Sequence, residues 1–268
     1  MSARTPRVLD FTATGEYDRP AVLFLHGFMG SKSDWASIAN TLGRGFRCVA
    51  VDLPGHGSSL DLHDPAYTMD GAAKATVGLL NALKIWRACV VGYSMGGRLA
   101  LYVALRYPGR CSGVFLESAS PGLEGADERA TRRRADEEKA TLLETGDFEG
   151  FLENWYRQPL FAPLARDEDR LRQLLKSRLE NDPVELARSL RGMGTGSQPS
   201  LWDELPSLRV PTLAVAGELD GKFVGISRRM ESLSPMMRAL AVPGTGHNVH
   251  EEAPSEYLSL LRRFLRER

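Results

Sequence analysis

The stretch that most constrains this chain runs from Ala88 to Arg106. Ala88 to Val91 is an apolar run that reads as a buried strand. Gly92-Tyr93-Ser94-Met95-Gly96 follows, and apolar residues then recur at helical spacing from Arg98 to Arg106. A G-x-S-x-G pattern between strand and helix predicts a sharp turn that lifts the serine hydroxyl into the open. The serine's backbone then needs strained angles, and Gly92 and Gly96 remove side chains that would collide with the turn. A helix starting at the serine also leaves N–H groups aimed at any anion formed there. Five residues alone fit an ordinary Gly-rich strand–helix turn equally well, so the rest of the chain has to decide. No G-K-[S/T] follows, which argues against a phosphate loop.

Around this stretch, strands and helices alternate. Strands are expected at Arg7 to Thr12, Ala21 to Leu25, Arg47 to Val51, Ala88 to Val91 and Gly113 to Leu116. Helices are expected from Ser33 to Leu42, with Ser33 or Asp34 as cap, and from Asp70 to Leu83, capped by Asp70. This alternation is the signature of a mostly parallel sheet covered by helices. The pattern breaks at Ala119. Helical segments alone follow at Asp127 to Thr145, Phe148 to Arg157, Asp167 to Leu179 and Pro183 to Arg191, with most of their charge expected in solvent. Residues 119–199 therefore read as a helical cap inserted into a core formed by 1–118 and 200–268. Gly192 to Pro199 reads as a flexible return to that core. Strands resume at Pro211 to Ala216 and Arg238 to Val242, separated by a helix from Phe223 to Leu233. A last helix begins at Pro254.

Three reactive groups fall at strand ends, in the order Ser94, Asp220, His247. Strand C-termini of such a sheet share one rim, where ligands bind. A serine needs a base to take its proton, and the base needs a carboxylate to hold its tautomer. His250 is the rival base and Glu117 the rival acid. His26 and His56 lie in early loops and are expected to fix backbone, and His63 to lie at the surface. An oxyanion hole is expected from the backbone N–H groups of Phe28, after His26-Gly27, and of Met95. Arg98 lies one helical turn beyond Ser94 and should border the same cleft. There it could grip a substrate carboxylate bidentately or pair with a structural acid.

Composition narrows the partners. Lys plus Arg, 34, equals Asp plus Glu, 34, so no bulk charge points to nucleic acid or an anionic membrane. Apolar residues make up 43 % and charged ones 25 % of 268 residues, and no apolar run reaches the roughly 20 residues of a membrane helix. Cys48, Cys89 and Cys111 fall in or beside strands without metal-ligand spacing. With no apolar leader at the N-terminus, they read as reduced thiols of a cytoplasmic protein. The expectation is a monomer or small homo-oligomer without metal or cofactor, acting on a small molecule.

The whole chain resembles the α/β-hydrolase superfamily. Gly92-Tyr93-Ser94-Met95-Gly96-Gly97-Arg98, Glu117-Ser118-Ala119-Ser120-Pro121-Gly122-Leu123, Trp155-Tyr156-Arg157-Gln158-Pro159-Leu160-Phe161 and Gly246-His247-Asn248-Val249-His250 are similar to the 2-succinyl-6-hydroxy-2,4-cyclohexadiene-1-carboxylate synthase family of menaquinone biosynthesis. The cap motif W-Y-x-Q-P-x-F is the most specific of these. The resemblance implies a mostly parallel eight-stranded sheet with a helical cap and a lyase that releases pyruvate from a substrate bearing several carboxylates. It also implies that Arg98, Arg132 and Arg178 hold those carboxylates, and that Tyr93, Trp155 and Phe161 contact the substrate. Two other readings remain open. One is a carboxylesterase or C–C bond hydrolase with Ser94 as nucleophile, and the other is a non-catalytic small-molecule receptor on the same fold.

Overall fold

A computed structural model describes residues 9–268. Among these, seven strands form one sheet in the order β1-β3-β2-β4-β5-β6-β7. They are β1 (Phe11–Thr14), β2 (Ala21–Leu25), β3 (Arg47–Val51), β4 (Ala88–Tyr93), β5 (Cys111–Glu117), β6 (Thr212–Gly217) and β7 (Met237–Val242). Only β1 runs antiparallel, against β3. Among the described residues the count is thus seven, where the resemblance implied eight. Among the described residues one strand precedes β2, and it starts at Phe11; Arg7 and Val8 of the expected first strand lie outside the described residues.

Strand alternation builds two apolar layers. On one face Leu23, Leu25, Val49, Val51 and Val90 meet α2 (Met69–Ala82), α3 (Met95–Arg106) and Met230 of α8 (Gly221–Leu233). On the other, Val22, Phe24, Cys48, Ala50 and Val91 meet α1 (Ala36–Leu42) and α10 (Pro254–Arg266). The three cysteines are free and buried in these layers. No described helix is long and apolar enough to cross a membrane.

Between β5 and β6 lie α4 (Ala126–Thr145), α5 (Phe148–Tyr156), α6 (Glu168–Arg178) and α7 (Pro183–Met193). They form a third apolar cluster, including Leu143, Leu152, Phe161 and Leu186, which closes on Met29 of the core. Asp147, Asp167 and Asp182 cap α5, α6 and α7 with their side chains, which sets where each begins. Two caps differ from expectation. Ser31 caps the 3-10 turn Lys32–Trp35 that precedes α1, in a reciprocal box with Asp34. Thr68, not Asp70, caps α2, because its hydroxyl reaches the Gly71 N–H. A short helix, α9 (Val249–Glu252), follows the last strand.

Candidate active site

Ser94 sits between β4 and α3 with φ 50° and ψ −107°. The packing enforces this strain. A Cβ on Gly96 would lie 2.2 Å from the Leu25 carbonyl oxygen, and one on Gly92 would lie 2.3 Å from that of Gly96. Strand and helix therefore cross closely only because both positions are glycine. The Ser94 N–H donates to the Glu117 carbonyl at 2.8 Å, which ties the turn to the neighbouring strand.

Asp220 lies just beyond β6 and caps α8, and its two carboxylate oxygens have separate partners. Oδ1 accepts from the Phe223 N–H at 3.4 Å, and Oδ2 lies 2.7 Å from His247 Nδ1. His247 Nε2 in turn stands 3.3 Å from Ser94 Oγ. With Nδ1–H donating to Asp220, Nε2 is left to accept from the serine hydroxyl. Ser94, His247 and Asp220 thus form one chain, buried except at its mouth. The rings of Phe223 and Tyr93 pack against the imidazole at 4.8 and 5.5 Å.

The rival pair is joined to itself instead. His250 Nδ1 lies 2.8 Å from Glu117, whose Oε1 also accepts the His250 N–H. Burial opposes a charge on His250, but the Glu117 carboxylate more than offsets it, and the imidazole is pushed up to about 9. This pair packs behind Tyr93 and beside Trp35. His26 donates through Nδ1 to the Gly27 carbonyl and accepts the Leu53 N–H, while His56 holds the Pro54 carbonyl. Burial lowers both imidazoles.

A cavity of about 380 Å³ opens over Ser94 and His247. Phe28 and Met95 line it from the core, and Arg98, Arg132, Trp155 and Phe161 line it as well. Met95 is the first residue of α3, so its N–H has no partner within the helix. Arg98 is buried, yet it donates to neutral acceptors: the Met193 carbonyl at 2.8 Å and Gln198 Oε1 at 2.7 Å. Burial, and next the nearby Arg132 charge, push its guanidinium down to about 10. Arg132 reaches the cavity while its Nε donates to the buried Asp136 at 2.7 Å. The residues after Gly192 are anchored by fully buried Gln198, not a loose return.

Two expected contacts lie elsewhere. Tyr93 does not line this cavity; its ring covers Gly27, where a Cβ would come within 2.6 Å of it. Arg178 is buried and forks onto both oxygens of Asp34 at 2.7 and 2.9 Å, with Nε donating to the Tyr156 hydroxyl. Asp34 and Tyr156 hold the Arg178 charge more strongly than burial disfavours it. Its carboxylate is therefore an internal one. Conversely, Lys222, Ser118 and Gln158 line the cavity although none was expected there; Ser118 and Gln158 stand in motifs that carried the resemblance but were given no role of their own. Lys222 carried one available signal, since it lies two residues after the strand-end Asp220.

Comparisons with known proteins give the fold and the family. The α/β hydrolase fold family model matches residues 20–254. A 2-succinyl-6-hydroxy-2,4-cyclohexadiene-1-carboxylate synthase of Escherichia coli O1:K1 is 32% identical over 94% of this chain and 96% of its own length. A relative from Bacillus subtilis (strain 168), provisionally given the same name, is 38% identical over 91% of this chain and 90% of its own length. The solved structure of MenH from S. aureus superposes with a TM-score of 0.90 at 32% identity, covering 96% of this chain and 98% of that one. The chain belongs to the α/β-hydrolase fold family and, within it, to the 2-succinyl-6-hydroxy-2,4-cyclohexadiene-1-carboxylate synthases.

Proposed function

We propose that this chain is a cytoplasmic lyase that eliminates pyruvate from 2-succinyl-5-enolpyruvyl-6-hydroxy-3-cyclohexene-1-carboxylate. The observation that carries this reading is Arg98. A buried guanidinium on the helix that starts at Ser94, hydrogen-bonded to neutral acceptors while the nearby Asp136 carboxylate is bonded to Arg132, suits an anionic ligand better than a neutral ester. Arg132 and Lys222 add positive charge to the same cavity. These three are the candidates for the substrate's carboxylates, with Trp155 and Phe161 against its apolar parts. Residues 119–199 then act as the cap that closes the cavity from water.

The chemistry follows from the serine, histidine and aspartate chain. His247 Nε2 takes the Ser94 proton, and Asp220 steadies the imidazolium. Ser94 Oγ then removes the proton from the ring carbon that bears the succinyl group. The C–H electron pair becomes a ring double bond, the existing double bond shifts, and the C–O bond to the enolpyruvyl group breaks. The departing oxygen leaves as enolpyruvate, which becomes pyruvate on protonation at carbon, and the proton held by the His247 imidazolium balances this step and resets the base. Negative charge on the succinyl carbonyl faces the N–H groups of Phe28 and Met95. Water is not consumed and no ester forms on Ser94.

Rapid mixing with this substrate, followed by mass spectrometry of the intact protein, tests the proposal. Pyruvate should appear in step with the diene, with no burst and no adduct. An acyl group trapped on Ser94 during turnover would overturn the lyase reading in favour of a hydrolase. Ser94→Ala and His247→Ala should each lower turnover by roughly 10³-fold or more, and together by little more, since the groups act as one unit.

A further inference from the structure

His247 stands on a loop, not on a strand or long helix, yet its Nε2 must keep one position relative to Ser94. The backbone around it is held from two sides. The Gly246 N–H donates to Glu252 Oε2 at 2.6 Å, and the Asn248 N–H donates to Glu252 Oε1 at 3.1 Å. One carboxylate thus bridges the two amides that flank the histidine. From the opposite side, Ser118 Oγ donates to the His247 carbonyl at 2.8 Å. The short helix α9 makes the bridge possible, because it turns the chain back so that Glu252, five residues on, faces the loop it follows. The Glu252 N–H closes the same turn onto the Asn248 carbonyl at 2.8 Å. Glu252 lines no part of the cavity and has no role in the proton transfers above.

We propose that Glu252 is a positioning residue, whose carboxylate clamps the backbone on both sides of His247 and so sets the imidazole against Ser94. The two donors fit a carboxylate and no neutral side chain of that length. A glutamine offers one acceptor oxygen, and its NH₂ would face the other N–H. Aspartate is one methylene too short to span both amides. The clamp matters because the Ser94–His247 contact, at 3.3 Å, is already long for a hydrogen bond. Burial raises the Glu252 carboxyl, and the two amides work against that rise.

The proposal rests on the triad role given to His247 above, so its test uses a reaction independent of the natural substrate. A fluorophosphonate reacts with Ser94 by forming an O–P bond and expelling fluoride, while His247 takes the serine proton. Its rate constant is measured on the whole protein for the wild type, Glu252→Gln and Glu252→Asp, and for each in a His247→Ala background. Glu252→Gln should slow the reaction by roughly 10- to 100-fold, the loss typical of a reacting group displaced by about 1 Å. Glu252→Asp should fall between. In the His247→Ala background the Glu252 changes should have no further effect. In pyruvate release, kcat should fall while KM stays within about threefold. A wild-type rate in Glu252→Gln overturns the clamp, as does equal slowing with and without His247. If Glu252→Gln does not fold, Glu252→Asp carried through the same cycle decides. Should the wild type react with the probe but release no pyruvate, the lyase reading falls, and the probe rates still judge the clamp.

Discussion

At the residue scale, the informative positions are charges whose partners the fold either supplies or withholds. Arg98 is offered only neutral acceptors, so a bound carboxylate gains a strong, desolvated partner. Arg98→Ala should lower kcat/KM for the natural substrate roughly 10- to 100-fold, the worth of a hydrogen bond to a charged group. Arg98→Lys should restore part of this, because a point charge lacks the planar fork. A neutral ester, if cleaved at all, should be nearly unaffected. Equal loss on both substrates would mark Arg98 as structural through Met193 and Gln198. His250 is the opposite case, since Glu117 is its built-in partner. Its imidazole, held up to about 9 against an ordinary 6.5, binds its proton more tightly folded than unfolded. The stability this contributes is complete below the ordinary value and is lost as pH rises through about 9. Unfolding midpoints measured on the alkaline side should therefore decline in the wild type and flatten in His250→Gln. An unchanged slope in the variant would show that another group carries it.

At the element scale, the site depends on how closely α3 crosses the sheet. Gly96 approaches the Leu25 carbonyl so nearly that an alanine methyl has nowhere to go, and the contact is backbone on both sides. Gly96→Ala should lower the thermal midpoint through overpacking of about 1–3 kcal/mol and abolish activity with it. The start of α8 carries a second dependence. One oxygen of Asp220 caps that helix while the other meets His247. Asp220→Asn keeps a cap acceptor but spoils the imidazole tautomer, so activity should drop roughly 10⁴-fold at nearly unchanged stability. Asp220→Ala should lose the activity and also about 1 kcal/mol of cap. A common thermal midpoint for both variants would argue against the cap.

At the scale of the whole molecule, the question is what seats the helical insertion on the core. Buried Arg178 of α6 forks onto Asp34, in the turn before α1, and Asn181 Nδ2 donates to the Met29 carbonyl. Glu185 of α7 adds a bond from the Tyr67 hydroxyl. Removing one member of a buried pair leaves the other charge stranded, at about 3–5 kcal/mol. Arg178→Ala should therefore lower the thermal midpoint by several degrees and also raise KM, because the cap residues Trp155 and Phe161 lose their seating. If Arg178 instead held a substrate carboxylate directly, KM would rise with the thermal midpoint unchanged. Most charge on the insertion is solvated, as its composition suggested. The exceptions, Asp136, Arg178 and Glu185, mark its inner face.

What the sequence determined by itself was everything that local pattern encodes. Apolar runs located the strands, the G-x-S-x-G turn located Ser94, and the order of strand ends gave Asp220 and His247. Each is a short-range constraint, written into neighbouring residues by backbone sterics and periodicity. Choosing between partners was beyond it. Nothing local says that Arg178 meets Asp34, or that Glu117 belongs to His250 rather than His247. Nor does it show that Tyr93 covers Gly27 rather than facing the cavity, or that Lys222 and Ser118 reach its wall. Glu252 is similar: five residues from His247 in the chain, it becomes a bridge only because α9 turns back. These pairings are made by tertiary packing, because which charge keeps water and which loses it depends on elements distant in sequence arriving at the same place.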